Sequence, residues 1–181
     1  MGLIMYMMGN EWALLLSFNV FSQKNDFGSE LGDYVTISDH QNAKGIDFKF
    51  RKPMGYNEMN GSSSNTVKLY SSGNSSYGDR EIIIQVFDYE TYFPEGSLIN
   101  RSNILDIIAE QKVQNSSYEY FSIDKYPGWI FQAEEDSHTS LQVNVFLEKT
   151  FFVVSFTSIY LIGESDIAYI KKLAKSVEFL K

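Results

Sequence analysis

The side chains best suited to chemistry sit in one short run, Glu134-Glu135-Asp136-Ser137-His138. Across a hairpin turn, Glu134, Asp136 and His138 could face one cation or pass a proton between carboxylate and imidazole, which would make the chain a hydrolase or metal-dependent enzyme. The same run also reads as an acidic, solvated turn joining two strands, and with one imidazole in it the turn is the favoured expectation. The second histidine, His40, follows Ser38-Asp39, and Ser62 to Ser64 are further hydroxyls. No Gly-x-Ser-x-Gly surrounds any serine, so His40 is expected on a surface loop rather than in a triad. Cysteine is absent, which removes thiol nucleophiles, disulfides and Cys-ligated zinc. The glycines at 28, 32, 73 and 78 lack the lysine and the strand-to-helix setting of a phosphate loop and read as turns. No catalytic residue and no cofactor is expected.

Aromatic residues offer more than the ionisable ones. Tyr89, Tyr92 and Phe93 lie just beyond an apolar strand, and Tyr126 and Trp129 lie near Tyr118 and Tyr120. If exposed, these five (Tyr89, Tyr92, Phe93, Tyr126, Trp129) would form a contact patch for a protein, peptide or glycan, because Tyr and Trp give large contact area at low entropic cost. Phe48, Phe50, Phe121, Phe131, Phe146, Phe152 and Phe156 are expected in the core.

The 181 residues suit one domain, and 44% hydrophobic with 21% charged residues places the chain among folding sequences. A formal net charge of −8 repels phosphate backbones and argues against nucleic acid as a partner. Residues 1 to 22 differ from the rest: the apolar run Trp12 to Phe21 has the length of a secretory h-region, and cleavage after Ser22 is expected. Asn10-Glu11 breaks the apolar run too early for a membrane span. A signal peptide (1–22), a polar N-terminal segment (23–44) and a single α+β domain (45–181) are therefore expected, in a periplasmic or secreted, acidic protein without a stable membrane span.

Positioning these residues falls to a run of strands. Ile46, Phe48 and Phe50 alternate with Asp47, Lys49 and Arg51 until Pro53, the period of a half-buried strand. Further strands are expected at 66–70, 81–88, 118–124, 129–135, 141–148 and 151–157, the Ile82-Ile83-Ile84 run implying a central strand buried on both faces. Short connections make the last four antiparallel hairpins. Helices are expected after Ser102, with Ile104, Leu105, Ile107 and Ile108 on one face, and from Glu164-Ser165-Asp166, with Ile167, Ile170, Ala174 and Val177 as its stripe. The expected fold is a twisted antiparallel sheet of six to seven strands flanked by helices.

This layout resembles the PsbP/Mog1 superfamily over roughly Gly45 to Leu180. The carriers are Ile46 to Pro53, similar to that family's opening strand ending in proline, then Tyr126-Pro127-Gly128-Trp129, the Glu148 to Phe156 hairpin and an Ile170 to Phe179 helix. Met54-Gly55-Tyr56 stands where the family commonly has a tryptophan. The resemblance implies an α/β/α sandwich and a non-enzymatic accessory or protein-binding module. It does not choose the partner.

Overall fold

The computed structural model describes residues 30–73, 79–88, 116–134 and 138–180, with the backbone alone for 116–118, 133 and 134. Ten strands and one helix are defined among them: β1 (Leu31–Ile37), β2 (Phe48–Pro53), β3 (Asn57–Met59), β4 (Thr66–Ser71), β5 (Arg80–Asp88), β6 (Ser116–Ile123), β7 (Tyr126–Glu134), β8 (Thr139–Phe146), β9 (Thr150–Ser158), α1 (Glu164–Lys175) and β10 (Glu178–Phe179). Seven strands form one antiparallel sheet in the order β3-β4-β5-β9-β8-β7-β6, and β1-β2-β10 form a second, smaller one. The expected antiparallel α+β fold is present. The expected helix after Ser102 lies outside the described residues.

β6 to β9 are a meander because each connection is short: Asp124 and Lys125 turn β6 into β7, with Asp124 at φ 52°, and Leu147 to Lys149 turn β8 into β9. β5 pairs with β9 along its whole length, Arg80 opposite Ser158 through Asp88 opposite Thr150, which closes the sheet's centre. Alternation then sorts the side chains. On one face Ile82, Ile84, Val86, Leu141, Val143, Val145, Phe152, Val154 and Phe156 join Ile130 in the main core. The other face carries a second aromatic cluster of Trp129, Phe146, Phe151 and Val153, with Phe87 and Phe131 against it. β9 is thus buried on both faces, whereas in β5 Ile82 and Ile84 are fully buried and Ile83 only half. The double burial expected of the Ile run belongs to the Phe-Phe-Val-Val run instead.

The small sheet and α1 lie on the main-core face. Phe48 meets Phe152 edge-on at 5.0 Å and Phe50 meets Tyr70 at 6.3 Å, while Ile170, Leu173 and Ala174 of α1 enter the same core. β1 pairs with β2 from Leu31↔Pro53 to Ile37↔Phe48, with a bulge between Leu31 and Tyr34. The packed domain therefore begins before residue 45. The polar segment expected over 23–44 supplies, in its second half, a strand and the 3-10 turn Gln41–Ala43, which Asn42 Nδ2 ties to the Thr66 carbonyl at 2.9 Å.

The C-terminal helix starts where the acidic run predicts and ends earlier than Phe179. Ser176 closes it by donating its hydroxyl to the Leu173 carbonyl at 2.6 Å while accepting the Arg51 amide at 3.0 Å, and Glu178–Phe179 then pair with Lys49 and Phe48. Phe179 is drawn out of the helix by aromatic contact with Tyr126 and Phe152 at 5.2 and 5.3 Å.

Candidate functional site

Of the five-residue aromatic patch, Tyr126 and Trp129 fall among the described residues, and these two do not share a face. Tyr89, Tyr92 and Phe93 lie outside the described residues. Tyr126 and Trp129 both sit on β7, because the strand begins at Tyr126 rather than at Trp129, and an odd spacing of three puts them on opposite faces. Tyr126 packs half-buried on the main core, with the Lys125 ammonium 5.3 Å from its ring. Trp129 is 8% exposed and stacks with Phe146 and Phe151 at 5.1 and 5.2 Å on the other face. The preceding Gly128 is fixed by sterics: a Cβ there would stand 1.9 Å from the Asn144 carbonyl oxygen. The Tyr-Pro-Gly-Trp segment is therefore a packing device, and Trp129 is a core residue.

Of the proposed cation ligands, Glu134 has its backbone paired with Thr139 at the end of β7, Asp136 lies outside the described residues, and His138 is half-buried just before β8. No group of three His, Cys, Asp or Glu residues converges among the described residues. His40 is the N-cap of the 3-10 turn, its Nδ1 accepting the Asn42 amide at 3.2 Å. This is the loop role expected of it.

Two ionic clusters that the sequence did not flag brace the fold. At the start of β5 and α1, the Arg80 guanidinium pairs with Asp166 at 3.3 Å, both side chains largely enclosed, and the second Asp166 oxygen accepts the Gly163 amide at 3.0 Å to cap the helix. Tyr56 is buried beside them. Burial pushes its phenol up, opposed by Arg80. Tyr169, one helical turn on, and Tyr70 in β4 are raised further by burial, and neither hydroxyl has a hydrogen-bond partner among the described residues. On the outer face of the small sheet, the Glu178 carboxylate is held below the usual range by the Lys49 ammonium at 2.9 Å and by the Tyr34 hydroxyl. Lys49 is raised in return by that bond, and it lies 4.8 Å from the Tyr34 ring. Asp166 was legible as a helix-start acid, but its partner is 86 residues away and only the tertiary fold brings it near.

The comparisons with solved structures bear on the framework as a whole. PsbP (CyanoP) from the cyanobacterium Synechocystis aligns over 87% of this chain and 99% of its own length at a TM-score of 0.50 and 9% identity. The fold is PsbP-like. A Bacteroides thetaiotaomicron protein is similar over 84% of this chain at a TM-score of 0.52 and 14% identity, and this chain spans about half of that protein's length. A Pseudomonas aeruginosa protein of unknown function aligns over 76% of the chain at a TM-score of 0.38 and 9% identity. No protein-family model matches the sequence. A comparison with curated proteins returns no match either. Within the PsbP-like framework, α1 and the small sheet occupy one face of the large sheet, and among the described residues no helix is long and apolar enough to cross a membrane.

Proposed function

We propose that the chain is a non-enzymatic accessory or protein-binding module that works outside the cytoplasm. The observation that carries this reading is how its polar groups are used: Asp166 with Arg80, Glu178 with Lys49 and Tyr34, and His40 in its cap are each committed to holding the framework together. A likeness at 9% identity gives the fold and not the role, so the reading rests on the site rather than the fold. The export reading rests on the apolar run Trp12 to Phe21, outside the described residues.

Two measurements test the proposal. Expression from the chain's own start in a bacterial host, followed by fractionation and intact mass, is expected to give a mature protein beginning at Gln23 outside the cytosol. An intact chain in the cytosol overturns the export half. Titration with zinc, magnesium and calcium by calorimetry is expected to give no saturable uptake. Stoichiometric binding abolished by His138→Ala would replace the binding-module reading with a metal-dependent one.

A further inference from the structure

Between β9 and α1 the chain runs Ile159-Tyr160-Leu161-Ile162. Ile162 is buried in the main core, yet the three residues before it are 57%, 46% and 77% exposed, and they are consecutive. Isolated exposed apolar side chains are ordinary, but three adjacent ones make a contiguous patch.

The loop is also held in place by polar bonds that leave Ile159 and Leu161 outward and steady the Tyr160 ring through its hydroxyl. The Ile159 amide donates to the Asp79 carbonyl at 3.1 Å, the Tyr160 amide to Ser158 Oγ at 3.0 Å, and the Tyr160 hydroxyl reaches the Asp79 carboxylate at 3.4 Å. Downstream, Ile162 anchors the chain in the core, and Asp166 holds the Gly163 amide. A loop fixed in this way loses little conformational entropy when it docks.

The charge around it is one-sided. Residues 79–81 and 158–166, which meet here, carry Asp79, Glu81, Glu164 and Asp166 against Arg80 alone, and Arg80 is already paired with Asp166. Glu164 and Asp79 are exposed.

We propose that Ile159, Tyr160 and Leu161 form a docking knob for a protein partner that offers an apolar recess bordered by lysine or arginine. This inference rests on the binding-module reading and gives that reading its surface. Apolar anchors ringed by complementary charge are the usual anatomy of such contacts. An anionic bilayer is disfavoured as the occupant, because the acidic rim is repelled by its surface.

The test is selection of a displayed random peptide library on the full chain, with the selected peptides then measured against I159S/L161S and E164K. Both changes lie at exposed positions, and thermal midpoints close to the parent's establish that the variants fold. The expected result is peptides with an aliphatic or aromatic centre flanked by Lys or Arg, bound about tenfold or more weakly by I159S/L161S, and weakened by E164K and by added salt. Peptides that bind both variants as well as the parent overturn the knob while leaving a binding module elsewhere on the chain. Failure to select any peptide overturns both. Flotation with phosphatidylcholine vesicles, with and without phosphatidylglycerol, gives the remaining outcome: vesicle binding lost in I159S/L161S assigns the loop to a lipid surface and overturns the protein-partner proposal.

Discussion

Tyr70 and Tyr169 each bury a phenol whose hydroxyl has no partner among the described residues. A buried, unpaired hydroxyl destabilises the fold by its lost hydration, so Tyr70→Phe is expected to stabilise the protein by about 1 kcal/mol, read as a higher urea midpoint. A lower midpoint would mean that the hydroxyl is satisfied in solution. Titration at single residues gives a second expectation. The Glu178 pKa is lowered by Lys49 and Tyr34, so the stability it contributes is present above the ordinary carboxylate range and is lost as pH falls through its depressed value. Glu81 has the opposite sign: burial raises its pKa, so protonation relieves a cost carried at neutral pH. Urea midpoints across pH should therefore show Glu178→Gln flattening the acid limb. Glu81→Gln should be stabilising near pH 7, an advantage that fades as pH falls through the raised value. If Glu81→Gln shows no pH-dependent gain, the carboxylate is solvated in solution.

At the scale of the element, β7 decides what its aromatic residues do. Because the strand begins at Tyr126, Tyr126 and Trp129 are consigned to opposite faces, and Trp129 becomes part of a buried aromatic cluster with Phe146 and Phe151. Truncation of such a residue removes its burial and leaves a cavity, so Trp129→Ala is expected to cost about 3 to 5 kcal/mol by chemical denaturation. A loss under about 1 kcal/mol would return Trp129 to the surface. Gly128→Ala meets backbone rather than a yielding side chain and should cost about 2 kcal/mol despite adding one methyl group. The strand parity that separates Tyr126 from Trp129 was legible once the strand start was known. That start was obscured because Pro127 and Gly128 read locally as a turn, whereas pairing with Ile123, Ser122 and Phe121 of β6 keeps the segment extended.

Across the whole molecule, the small sheet joins the chain's two described ends: β2 is flanked by β1 on one side and by β10 on the other. Removing residues before 45 would strip β1 from β2 and uncover Phe48 and Phe50, both fully buried. A chain begun at residue 45 is thus expected to lose its cooperative thermal transition, while one begun at residue 30 keeps it. A cooperative transition in the shorter chain would restore the boundary at 45. The sequence by itself determined the longer strands from β2 onward, the meander and the start of the last helix, because period-two alternation, short turns and an acidic helix start are local signals. Tertiary structure alone decided which strand was buried on both faces, that Arg80 meets Asp166, that Phe179 leaves the helix for a strand, and that Ile159 to Leu161 stay in solvent. Each of these depends on groups far apart in the chain, and exposure is a property of what packs against a residue rather than of the residue itself.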